Sequence, residues 1–417
     1  MEKIFYNKKI KTQLASLLFM LSLLITFTAC NEDVTPSLWE EKPKGDTPVI
    51  SEVIPANKAL AGVTTITIKG RNFLTDASKN YVYFGGSQAK ILSASPTELV
   101  VKAPDVIGDL KIKIAVFGAE LFSNEISYTL EAAVESVYPF KDFELPYAIA
   151  LDANNNIYFS LVSDNVGKGI MKLTPDGTLT NFAPKGGETF YNAIKVGPDN
   201  KIYGVRNARA VFEIAENTAP VAWPATETTL KFVDLDFDSQ KNIWTGGTGG
   251  KIYRFTSATD KKGFDFAKDI TALRVFNDGV DDYLYVATTS ATEKAIYRMK
   301  IISKDELDSP ELYFDFSANF DILTKNITAL TFAQDGDMYL GLNTSETIVV
   351  VHHPDKSFSN LYTGLIKHPV LSFSWGNDNN LYYSRGKVTN VEGTILSQQL
   401  IIRVNVEKAG APYYGRN

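Results

Sequence analysis

Short apolar and aromatic runs separated by turn residues recur along the chain after residue 47, and in places apolar and polar residues alternate with period two. The clearest run is Thr65-Ile66-Thr67-Ile68-Lys69, ended by Gly70; a strand with one buried face requires this spacing. Similar short runs stand at residues 81–84, 89–92, 98–101 and 111–116, with turn residues at Gly85-Gly86 and Pro96. Strands of this length and spacing predict a β-sandwich over residues 47–130.

From residue 135 the pattern repeats. An apolar run, an Asp/Asn/Gly turn and an apolar-aromatic run read as Leu151-Asp152-Ala153-Asn154-Asn155-Asn156-Ile157-Tyr158, and return as Val196-Gly197-Pro198-Asp199-Asn200-Lys201-Ile202-Tyr203. Further copies begin at Phe237, Phe276, Phe332 and Trp375, six in all. A second strand follows each copy, for example Ile170-Met171-Lys172-Leu173 and Ile252-Tyr253-Arg254-Phe255, and each unit has room for an outer strand. Four antiparallel strands repeated six times predict a β-propeller over residues 135–417, closed radially so that few sheet edges are exposed. The last blade needs an outer strand. Two segments can supply it, Ser136-Val137-Tyr138-Pro139-Phe140 or Ala411-Pro412-Tyr413-Tyr414, and the first, which locks the ring, is favoured. The expected fold class is all-β, an Ig-like sandwich followed by a six-bladed propeller.

The N-terminus reads as an address. Lys3, Lys8, Lys9 and Lys11 precede an uncharged apolar run over residues 14–27 that is shorter than the roughly 20 residues of a bilayer-spanning helix, which predicts a signal peptide over residues 1–29. Cys30, the only cysteine in the chain, follows directly, and residues 30–46 are polar and Pro-containing, as a flexible tether would be. The net charge of −6 becomes −9 once residues 1–29, with a net +3, are removed. A mildly acidic chain without a Lys/Arg cluster has no electrostatic reason to bind nucleic acid.

Four resemblances follow from these residues. Phe27-Thr28-Ala29-Cys30 resembles the lipid-attachment site of bacterial lipoproteins, and Asn31-Glu32-Asp33 resembles the surface-export signal of Bacteroidetes lipoproteins; together they imply an outer-membrane protein anchored by a lipid on Cys30 and facing the cell exterior. Pro48-Val49-Ile50 with Pro55, Gly70-Arg71-Asn72-Phe73, Phe84-Gly85-Gly86 and Ala103-Pro104 closely resemble IPT/TIG Ig-like domains, which implies a spacer or adhesive module. The six repeats resemble NHL-type propellers.

Catalytic signatures are missing from the sequence. His352 and His353 are adjacent and point to opposite faces of a strand, His368 stands alone, and there is no nucleophile elbow, His-Glu-x-x-His or phosphate loop. No catalytic residue, metal or cofactor is therefore expected. Asn192 and Asp234 lie near the starts of inner strands, but the equivalent starts at Ala148, Thr271, Thr328 and Val370 coordinate poorly. The candidate ligand-binding residues are Tyr191, Asn192, Arg206, Trp223 and Arg385: Trp223 and Tyr191 because no repeat position demands an aromatic there, the others because loops of a propeller converge on one face. The insertion at residues 386–399 can overhang that face. The expected function is a non-catalytic surface protein binding an extracellular ligand, foremost a glycan. The alternatives are an adhesion or scaffold protein with a protein partner, or a sugar-lactone hydrolase or lyase.

Overall fold

The computed structural model describes residues 45–415; the expected signal peptide, Cys30 and nearly all of the tether lie outside them. Residues 49–131 form a sandwich. One sheet orders Val49–Ile54, Thr65–Arg71, Glu98–Lys102 and Lys90–Ser95, and the other carries Lys58–Leu60, Ile126–Glu131, Gly108–Val116, Asn80–Phe84 and Ser87–Gln88. Their inner faces share one core that includes Ile66, Ile68, Val82, Phe84, Leu99 and Ile114.

Six further sheets are the propeller blades. Their innermost strands are Glu144–Leu151, Ala193–Val196, Lys231–Phe237, Asp269–Asn277, Ile327–Phe332 and Val370–Trp375, in blades I to VI. The repeated turn has a physical reason. In blade III the Asp238 carboxylate accepts the N–H groups of Gln240 and Asn242, the Asn242 side chain, and the indole N–H of Trp244 at 2.8 Å. Asp152 does the same for Asn154 and Asn156, with the Tyr158 hydroxyl at 3.2 Å. In blades I and III the turn acid and the aromatic six residues later are thus one device, in blade II Asp199 meets Tyr203 four residues on at 3.2 Å, and Asn155, Asn200 and Lys241 take the left-handed conformation within these turns.

Blade VI is closed by the N-terminal side of the propeller: Val134–Ser136 pairs antiparallel with Leu400–Asn405. This strand begins two residues earlier than expected. Val137 still donates to Ile401 O, but Pro139 has no N–H to continue the ladder. The C-terminal segment does something else. Ala411 N–H bonds Phe332 O, the Tyr413 hydroxyl bonds Val196 O at 2.6 Å, and Tyr413 packs against Phe237, so residues 409–414 cross one end of the central channel.

Inside the channel, side chains of one blade satisfy the free edge of the next. Asp234 and Asp236 of blade III accept Leu273 N–H and Val275 N–H of blade IV at 3.0 and 2.9 Å, and Ser374 of blade VI accepts Leu151 N–H of blade I at 3.1 Å. These bonds use N–H groups that an innermost strand would otherwise leave unpaired.

Candidate functional site

The tail closes the channel at the end where the inner strands finish. There Lys195, Asp236, Arg274, Thr331 and Ser374, one from each of five blades, surround a cavity of about 40 Å³ roofed by Pro412 and Tyr413. Room for a few water molecules is all such a volume offers. Asp236 is buried with one carboxylate oxygen unpaired, and burial pushes its pKa up against the pull of Lys195 and Arg274. Asp234 lies one layer deeper and is fully committed to Arg274 at 2.9 Å and to the backbone N–H groups of Leu235 and Leu273. It is a structural ion pair, which removes it as a ligand candidate.

The opposite end, where the inner strands begin, has a distinct construction. Every inner strand except that of blade II shows a register shift against its neighbour near its start, where two residues face one. Blade II reaches the same arrangement because Asn192 N–H and the paired Ala193 both meet Val205. The bulged residues are Tyr147, Asn192, Val233, Thr271, Thr328 and Leu371, and each is partly exposed, whereas the residues on either side in the strand are mostly buried. A bulge turns one side chain out of the pleat, and bulges concentrate at barrel rims and binding sites for that reason. Six of them at one level give the channel a ring of six side chains. Phe190 joins this ring: its face stacks on Tyr147 with centroids 4.0 Å apart and planes 12° apart. The Thr328 hydroxyl lies 3.0 Å from Gly341 O.

Of the expected residues, the structure brings Tyr191, Asn192 and Arg206 together at the start of blade II. Asn192 is the bulged, partly exposed residue of blade II. Tyr191 is not exposed: its ring is fully buried against Phe212 and its N–H bonds Ser160 of blade I. Burial, with the Glu188 carboxylate beside it, pushes its phenol far above the ordinary range. Arg206 lays its guanidinium on the Phe212 ring at 4.7 Å. Tyr191 and Arg206 thus belong to the seam between blades I and II.

Trp223 corrects the expectation most clearly. It sits in the outer strand Val221–Pro224, 8% exposed, edge-on to Tyr203 in the core between blades II and III. Its ring has no free face for a ligand. Arg385 lies apart, at the end of the second strand of blade VI, and lines a cleft toward the sandwich. The 386–399 insertion forms a small hairpin of Val388–Thr389 and Ile395–Ser397, held to blade I by Gln398 on Asp142 and Gln399 on Pro146 O.

The two residues that sequence reasoning missed are Tyr147 and Phe190. Their signal was an aromatic ahead of the first small buried residue of an inner strand, Tyr147 directly before Ala148 and Phe190 three residues before Ala193. His352 bonds Asp337 at 3.1 Å and Ser359 at 3.0 Å, the order of a hydrolytic relay. Lys408 occupies the same Asp337 oxygen at 2.6 Å, and Ser359 lies on an exposed outer strand, so the set ties the C-terminal segment to blade V. Among the described residues no group of three His, Cys, Asp or Glu is placed to hold a metal.

Comparison with known proteins bears on the fold. Residues 48–130 match the IPT/TIG domain family. Mouse fibrocystin-L is 25% identical over 97 residues, which span 22% of this chain and only 2% of fibrocystin-L. Among solved structures, a putative phosphatase from Bacteroides thetaiotaomicron superposes over 90% of this chain and 100% of its own, at 12% identity and a TM-score of 0.53. Luciferin-regenerating enzyme covers 68% of this chain and 99% of its own, at 15% identity and a TM-score of 0.52. An auxiliary nutrient binding protein from Bacteroides thetaiotaomicron covers 86% and 97%, at 12% identity and a TM-score of 0.48. This chain therefore carries an IPT/TIG domain at residues 48–130, ahead of a propeller whose likeness to solved structures is one of fold.

Proposed function

We propose that the protein is a non-catalytic, lipid-anchored binding protein whose channel mouth holds a neutral saccharide. The observation that carries the reading is the stacked Tyr147–Phe190 pair set in a ring of Asn192, Val233, Thr271, Thr328 and Leu371. Sugar C–H faces pack on aromatic rings, and amide and hydroxyl groups bond the sugar hydroxyls. Hydrolysis or elimination calls for a positioned acid, base or metal. The ring offers amide, hydroxyl, aliphatic and aromatic groups instead. This chemistry, and not the names of proteins with a similar fold, supports the reading.

Affinity electrophoresis through gels containing individual polysaccharides tests it. One neutral glycan class retards the wild type, and Tyr147→Ala and Phe190→Ala restore free migration; retardation that survives both substitutions refutes the mouth as the site. The anchor on Cys30 is tested separately by palmitate labelling in the producing cell, which Cys30→Ser abolishes. A protein partner is the second reading. It is favoured by the sandwich loop at residues 117–122, where Leu121 and Phe122 are 67% and 50% exposed, since exposed apolar patches mark interaction surfaces.

A further inference from the structure

The cleft that Arg385 lines is a second site of different chemistry. It lies between the sandwich and blade VI and has a volume of about 290 Å³, near the lower end of ligand pockets. Ile107 of the sandwich and Leu365 and Leu400 of the propeller give it apolar walls, and Asp105, Glu135 and Arg385 give it polar groups. Junctions between domains are favoured places for such sites.

The charges in it are unequal in their commitments. Glu135 is paired with Arg403. Arg385 is half-buried and, among the described residues, donates only its Nε–H, to Gln398 O at 3.0 Å. Among the described residues no carboxylate pairs with it, and burial draws its pKa down. A guanidinium withdrawn from water without a counter-ion costs free energy that a bound anion returns. Its planar fork matches a carboxylate with two parallel bonds. Asp105 in the same cleft narrows the ligand further. A phosphate or sulfate dianion would meet its repulsion, whereas a monoanion bearing hydroxyl groups can donate to it.

We propose that this cleft binds a carboxylate-bearing sugar unit, a uronate, with Arg385 on the carboxylate, Asp105 on a ring hydroxyl, and Ile107, Leu365 and Leu400 against the C–H face. The proposal deepens the saccharide reading in its ligand class but uses a separate site, so the two fail separately. The experiment titrates D-glucuronate and D-glucose into the full chain carrying Cys30→Ser, by calorimetry, for the parent, Arg385→Gln, Asp105→Asn and Tyr147→Ala. Glucuronate is expected to bind at least ten-fold more tightly than glucose. Arg385→Gln should remove that preference, Asp105→Asn should weaken glucose more than glucuronate because the same change lifts the repulsion on the carboxylate, and Tyr147→Ala should leave glucuronate binding unchanged. Equal affinity for the two sugars, or full glucuronate affinity in a folded Arg385→Gln chain, overturns the proposal. Loss of glucuronate binding in Tyr147→Ala would instead place the acidic sugar at the channel mouth and also overturn it. Thermal unfolding of each variant separates lost binding from lost fold.

Discussion

Tyr147 and Trp223 are both aromatic, yet their surroundings give them opposite roles. Trp223→Ala empties a packed site between two blades and should cost about 3 kcal/mol of stability, read by urea denaturation, with ligand affinity retained while the chain is folded. Tyr147→Ala removes a half-exposed ring and should leave the unfolding midpoint nearly unchanged while weakening saccharide binding about ten-fold, the worth of one good aromatic contact. Asp234 belongs with Trp223. Asp234→Ala strands the buried Arg274 and two backbone N–H groups, and should destabilise by about 3–5 kcal/mol. A loss below 1 kcal/mol would show that the channel is wetter than its packing implies.

At the level of elements, the repeat itself was legible because Asp152, Asp199 and Asp238 each collect turn N–H groups and meet an aromatic of the following strand. Trp223 was misread because Pro224 beside it signals a loop. In the structure Pro224 ends an outermost strand, where a missing N–H is tolerated. The ring at the mouth was hidden for another reason. A bulge displaces one residue from strict alternation, so Val233 or Thr271 looks like an ordinary strand residue until its partner is known. The role of the C-terminal segment was equally hidden, since pairing across the channel leaves no periodic mark. Ending the chain after Lys408 should lower the melting temperature and speed hydrogen exchange at Gln334, whose N–H bonds Ala409 O. Affinity at the mouth, on the opposite face, should stay unchanged; equal exchange in both chains would mean that the segment is not docked in solution.

For the whole molecule, the two domains are joined with little slack. Ile126–Glu131 ends the sandwich and Val134–Ser136 closes the propeller, so the chain that leaves one domain completes the other. A propeller started at residue 137 should therefore be less stable than one started at residue 133, in which the closing strand is kept. Acid acts on the whole molecule through its carboxylates. Asp260, bonded by the buried Arg254 and by Lys304, is held down at about 2 from its ordinary 3.8. Asp337 is also held low: burial works against this, but bonds from Lys408, His353 N–H and His352 outweigh it. A carboxyl whose folded value is depressed contributes stability above its unfolded value and loses it as pH falls toward the folded one. Asp236, raised by burial, has the opposite sign and stabilises as it protonates. Depressed groups are the more numerous, so thermal stability should fall between about pH 4 and pH 2, and Asp260→Asn should flatten that fall. A midpoint that holds steady across this range would contradict the assigned ion pairs.

The proposed function has the channel mouth bind a neutral saccharide through Tyr147 and Phe190 and leave it intact. The direct test is calorimetric titration of the full chain, carrying Cys30→Ser, with an oligosaccharide from the retarding glycan, followed by mass analysis of the recovered sugar. Saturable binding that Tyr147→Ala weakens about ten-fold is expected, with the sugar recovered unchanged. Binding indifferent to Tyr147, or sugar recovered shortened or unsaturated, would contradict it.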